Sequence, residues 1–240
     1  MDRALTNAVF NLDRDSGIQS WNKFGEIQPV WFKLALTSGE GRNQRNPNTG
    51  LATTARVEWL PLGEFKNEGD YSEGDLEFEP ASKLSFGLVY NLNRQTSRVG
   101  GQTGAIFDSG ATRNMETWIA DALWKLQGWA ISSEAFLRRA RDPIVNANQK
   151  IFVGRGLNLQ ASYVFPSMWS PALRWTRVSP ESWLETQLDD RTQWTLGLSR
   201  YIRKHKIKVQ GDITLEDVKS RGTRPRLENY SYRLQLEFGF

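Results

Sequence analysis

Little in this chain can make or break a covalent bond. His205 is its single histidine and cysteine is absent, which removes thiolate nucleophiles, disulfides and thiolate metal sites. A hydrolytic centre needs an activated nucleophile with a positioned base. His205, in the basic turn from Arg203 to Lys206, reads instead as a solvated turn residue, and one imidazole is too few for a histidine zinc site. Gly100, Gly101, Gly104 and Gly110 fall in a long polar stretch rather than between a strand and a helix, so they read as flexible loop residues and not as a phosphate cradle. Glu64, Glu68, Asp70, Glu73, Asp75, Glu77 and Glu79 crowd one connection. They lack the ligand spacing of a calcium loop and read as a solvated acidic loop. The basic run Lys219, Arg221, Arg224 and Arg226 has no interleaved aromatics on which bases could stack. It reads as a solvated loop, with contact to lipopolysaccharide phosphates as the functional alternative, since arginine offers bidentate donors. The expectation is a protein with no catalytic residue, no cofactor, no metal and no nucleic-acid partner.

The other charges are ordered by a period of two. Tyr230, Tyr232, Leu234, Leu236, Phe238 and Phe240 alternate with Ser231, Arg233, Gln235, Glu237 and Gly239, the pattern of a strand with one apolar and one polar face. A strand of about 9–11 residues crosses a bilayer when tilted. The same alternation recurs from Ile207 to Leu215 and from Leu157 to Phe165, and more weakly from Ile18 to Phe24, Val30 to Leu36, Ala55 to Trp59, Leu84 to Leu92, Trp118 to Trp124, Ile131 to Leu137, Leu173 to Trp175 and Trp194 to Leu198. That is about eleven strands, an inventory suited to an up-and-down barrel. The apolar fraction is 39% and the net charge +4, and no stretch approaches the roughly eighteen uncharged apolar residues of a membrane helix. A transmembrane barrel remains open, because only every second residue must face lipid. Ten tryptophans and six tyrosines fit the aromatic belts of a membrane interface.

Connections alternate in length, as they do in outer-membrane barrels. Short ones lie near Gly25, at Leu126 to Gly128, at Pro166 to Trp169 and at Arg203 to His205. Long ones run over Ser38 to Gly50, Arg94 to Asn114, Ala140 to Gly154, Ser179 to Arg191 and Val218 to Asn229. The acidic connection from Gly63 to Ser82 breaks the rule, being long on the short-turn side. With short turns on the periplasmic side, Phe240 ends at the periplasmic rim and the strand from Ile18 descends from outside. An odd number of earlier strands is then expected. Ala8, Phe10 and Leu12 alternate weakly enough to allow a twelfth strand, but the shortness of that segment and the lack of an export signal favour a chain truncated at its start. Residues 1–15 are read as an extracellular-side segment or partial strand, and 16–240 as transmembrane strands.

Alternation also sorts the side chains. Lys33, Arg56, Lys125, Arg138, Arg174, Lys206, Lys208 and Arg233 are expected to face the pore, with Glu58, Asp121, Glu134, Asp212 and Glu237. Cations outnumber carboxylates, and such charges can bias which ions pass. Tyr230, Tyr232, Leu234, Leu236, Phe238 and Phe240 are expected to face lipid.

The stretches DRALTNAVFNLDRDSGIQ, ARVEWLPLGEFKNEGDYSEGDLEFEPASKLSFGLVYNLNR, RTQWTLGLSRYIRKHKIKVQGDITLED and YSYRLQLEFGF resemble the phosphate-selective porin O and P family. The terminal Phe240 with its alternating partners also resembles the signal by which barrel proteins are recognised for insertion. The resemblance implies a trimeric porin of about sixteen strands in the outer membrane of a Gram-negative bacterium, in contact with outer-membrane lipid and lipopolysaccharide. It further implies passive uptake of small anionic, phosphate-like solutes, and about five strands ahead of Met1. A non-conducting barrel that anchors a partner complex is the alternative, one that loops filling the lumen would favour.

Overall fold

The computed structural model describes residues 3–42, 50–108, 110–184, 187–203, 206–220 and 226–239. His205, Arg221, Arg224 and Phe240 lie outside the described residues. Eleven antiparallel strands form one sheet in chain order: β1 (Gly17–Phe24), β2 (Val30–Thr37), β3 (Ala52–Trp59), β4 (Lys83–Thr96), β5 (Arg113–Leu126), β6 (Trp129–Ala140), β7 (Gly154–Tyr163), β8 (Trp169–Pro180), β9 (Asp190–Arg203), β10 (Ile207–Lys219) and β11 (Leu227–Phe238). Each expected strand is present, and most reach further than the alternation did, because their polar ends pair through the backbone.

Among the described residues, β1 pairs only with β2 and β11 only with β10, so the sheet keeps two edges. It is nevertheless strongly curved. Tyr71 bonds Lys33 on β2, while a Cβ on Gly74, three residues later, would lie 3.5 Å from the Tyr201 hydroxyl on β9. One four-residue stretch thus meets side chains of β2 and β9, which stand seven places apart in the sheet, on the same concave side.

Burial follows the pleat. On β7, Gly156, Asn158, Gln160 and Ser162 are buried against the concave side, while Leu157 and Leu159 are exposed on the convex side. On the edge strand β11 most residues of both faces are exposed, and Tyr232 (75% exposed) and Leu234 (77%) take the outward face through their register with Ile213 and Gly211. The outward faces also carry two aromatic levels. Trp124 and Trp129 lie by the short turns and Trp118 and Trp175 towards the long loops; on β5 six residues, about 20 Å of strand, separate Trp118 from Trp124.

Two segments differ from expectation. The stretch that allowed a twelfth strand is a helix, α1 (Leu5–Phe10), packed on β6, β7 and β8; Phe10 is fully buried, stacked on Phe136 and edge-on to Phe152. Weak alternation over five residues loses to the burial of one aromatic ring. The long connection from residue 97 to 112 is likewise folded rather than loose. Phe107 packs with Met115, Ile151, Val153 and Leu184 beneath the long loops, and Gly101 and Gly104, at φ of 80° and 84°, make the turns that permit it.

Candidate functional site

On the concave face the charges of β2, β3 and β5 meet. β2 and β3 align Lys33 with Arg56, and β4 sets Gly87 beside Asp121 of β5. Because Gly87 has no side chain, Arg56 reaches over it: its two terminal nitrogens donate to Asp121 Oδ2 at 2.6 Å and Oδ1 at 3.0 Å. A Cβ at Gly87 would meet both partners at about 2.5 Å. Arg56 Nε also lies 3.6 Å from Glu58 Oε2. Lys33 Nζ donates to Glu58 Oε2 at 3.3 Å and to the Tyr71 hydroxyl at 2.7 Å, and that hydroxyl donates to Glu58 at 3.2 Å. Of the sequence-predicted pore residues, Lys33, Arg56, Glu58 and Asp121 thus form one connected network.

Glu134 accepts from Asn158 Nδ2 at 2.9 Å, and Asn158 accepts from the Thr176 hydroxyl. Arg174 is buried on the same face. At the far wall, Lys208 Nζ is 3.0 Å from Glu237, and Asp212 stands opposite Arg233 in register. Lys206 is a correction. It is exposed in the turn before β10 and not in the strand, which begins one residue later.

Two of the predicted cations hold structure instead of lining open space. Arg138, 1% exposed, donates to the Val9 carbonyl at 2.8 Å and to Thr117 Oγ1 at 3.2 Å. Its guanidinium lies 5.4 Å from the centre of the Phe10 ring, a cation–π contact that seats α1. Lys125 is fully enclosed by the acidic connection, donating to the carbonyls of Gly69 at 2.7 Å and Gly74 at 2.6 Å and to Ser72 Oγ at 3.2 Å.

That connection, residues 60–82, is the second correction, for it is not a solvated loop. Leu60, Phe65 and Leu76 are buried in it, as are Asp75 and Glu79. Asp75 accepts from the backbone N–H of Glu79 at 3.0 Å and of Gly128 at 2.7 Å, and Glu79 accepts from Lys66 N–H at 2.6 Å. Leu76 packs with Val164 and Tyr201 across the sheet. The segment therefore spans the concave face near the short turns. Burial raises the pKa of both Asp70 and Tyr71 above the ordinary values. Apolar residues interleaved with the carboxylates were the available sign of this folding; Tyr71 and Glu73, which bond to the wall, carried none.

Between α1, this connection and the sheet lies a cavity of about 450 Å³. Arg3, Arg56 and Arg174 line it, and so do Asp70, Glu73, Asp121 and Glu134, so its charge is near balance. Amides and hydroxyls fill the rest, Asn158, Gln160 and Ser162 among them. Such a lining can exchange hydrogen bonds with a small polar solute or with water of either orientation.

No protein family, curated protein or solved structure matches the chain. The class that the fold defines is all-β: eleven antiparallel strands in one sheet, with barrel-like curvature, and no helix among the described residues long and apolar enough to cross a membrane.

Proposed function

We propose that this chain forms part of the wall of an outer-membrane diffusion pore for small polar solutes, related to the phosphate-selective porins, with at most a weak preference for anions. The observation that carries the reading is the division of the strands into an outward row of exposed apolar and aromatic side chains and an inward row of charges, amides and hydroxyls. In water an exposed surface of Leu234, Leu236, Leu196 and Leu198 would drive association; in a bilayer it is the required outer surface of a barrel. The weak preference follows from pairing. Lys33 and Arg56 are offset by Glu58 and Asp121, and the residue 60–82 segment adds Asp70 and Glu73 to the narrow region. At physiological salt, charges beyond about 8 Å are screened.

A second reading has an observation of its own: α1 and residues 60–82 occupy the concave face, as a non-conducting barrel would have them do. Planar-bilayer recording separates the two, using protein extracted from membranes together with the Lys125→Ala variant. Removing Lys125 leaves the Gly69 and Gly74 carbonyls without their donor, so the segment loosens. Stepwise conductance that rises in the variant is expected for the pore, with a reversal potential in a salt gradient close to zero or slightly anion-selective. A silent wild type supports the anchor reading, and a cation-selective one removes the likeness to phosphate porins.

A further inference from the structure

The outward rows end, towards the long loops, in residues of uneven charge. On β6, β7 and β8 the last apolar outward residues are Leu137, Leu157 and Trp175, and the next outward positions are Arg139, Arg155 and Arg177. On β9, β10 and β11 the corresponding positions are Thr192, Asp217 and Glu228. Across these six strands, positive charge at this border is thus gathered on β6 to β8. The register makes it a cluster: Arg155 stands opposite Leu137 and Ser179, which places Arg139 and Arg177 one diagonal step away on either side, about 7–8 Å.

Arg139 and Arg155 are exposed and make no ion pair or side-chain hydrogen bond among the described residues. Arg177 donates to Asp190 Oδ2 at 2.9 Å with half its side chain still exposed. Glu116 faces Arg139 across the β5–β6 register without forming an ion pair. The acidic part of the border differs, since Asp217 is held by Arg226 at 2.7 Å and 3.0 Å. Guanidinium groups beside an apolar row, with little carboxylate to meet them, suit an anion that itself carries apolar chains. Arginine binds phosphate through paired N–H donors, and its stem can lie along apolar surface while its head stays at the border.

We propose that Arg139, Arg155 and Arg177 bind the phosphate of an acylated lipid, whose chains lie along the outward surface of Leu137, Leu157 and Trp175. The site rests on the membrane reading above and adds to it a place and a chemical class of lipid. It is separate from the basic run around Arg226, whose described arginine is already paired.

The test uses protein extracted from membranes in a non-ionic detergent, with lipid A as the diphosphorylated probe in mixed micelles, and phosphatidylcholine and inorganic phosphate as comparisons. Wild type should bind lipid A in preference to phosphatidylcholine. The Arg139→Gln/Arg155→Gln double variant should bind it roughly thirtyfold more weakly, taking a factor of about five for each arginine at an anionic surface, with an unchanged circular dichroism spectrum. Glu116→Gln should tighten binding, and Arg226→Gln should leave it alone. Equal affinity of wild type and double variant overturns the proposal, as does equal weakening by Arg226→Gln, which would mean diffuse charge. Displacement of lipid A by millimolar inorganic phosphate also overturns it in favour of a free-anion site. A wild type that stays monodisperse without detergent overturns the membrane reading itself, a distinct result.

Discussion

Gln235 and Leu234 are neighbours in the chain with opposite surroundings. Gln235 accepts from Gln210 Nε2 at 3.0 Å on the concave side, while Leu234 is 77% exposed on the convex side. If the convex side meets lipid, Leu234→Arg near the bilayer midplane should cost about 2–4 kcal/mol, whereas Gln235→Arg should be nearly neutral. Denaturant titration of the membrane-inserted protein measures both, and equal losses would refute the facing. The buried cations follow a different logic. Arg138 and Lys125 each trade hydration for carbonyl and hydroxyl acceptors, and because an orphaned buried acceptor costs about 1–3 kcal/mol, each is tied to the backbone it holds.

At the scale of elements, the residue 60–82 segment is the part whose behaviour should change with pH. Burial raises the pKa of Asp70, so the docked segment takes up a proton more readily than the undocked one. The sign is then set: below the undocked pKa both states are protonated and the penalty vanishes, and as pH rises through the docked value the penalty is felt in full. Docking should therefore tighten as pH falls from neutral towards the ordinary aspartate range. Protease cleavage within residues 60–82, compared between wild type and Asp70→Asn, isolates this contribution, because the variant lacks the titration while keeping the size. An identical pH profile in the two proteins would show that Asp70 has no part in it.

Across the whole molecule the edges matter most. Eleven antiparallel strands leave β1 and β11 running in the same direction, so they cannot close on each other in an antiparallel pair, and copies of the sheet sharing one membrane orientation cannot supply that pair either. Open edges in lipid leave backbone groups unsatisfied. An odd number of further strands would close the sheet. A polypeptide of these residues alone should accordingly aggregate or fail to insert into vesicles, and a heat-modifiable, protease-resistant monomer made from it would show closure by another route.

The number of strands, their antiparallel order and their two-faced alternation were legible in the sequence, because a period of two records which side of a pleated sheet a residue occupies. So were Lys33, Arg56, Glu58 and Asp121 as inward residues. Their pairing was not, since Arg56 reaches Asp121 across the intervening strand only where Gly87 leaves room. Nor was the fate of α1 or of residues 60–82. The first showed only a weak alternation and the second no period, and the place of both depends on the curvature of the sheet, a property of all the strands together. Packing against α1 and the residue 60–82 segment turned Arg138 and Lys125 from candidate pore charges into anchors, and the same folding brought the carboxylates of Asp70 and Glu73 into the cavity that Arg56 and Arg174 line.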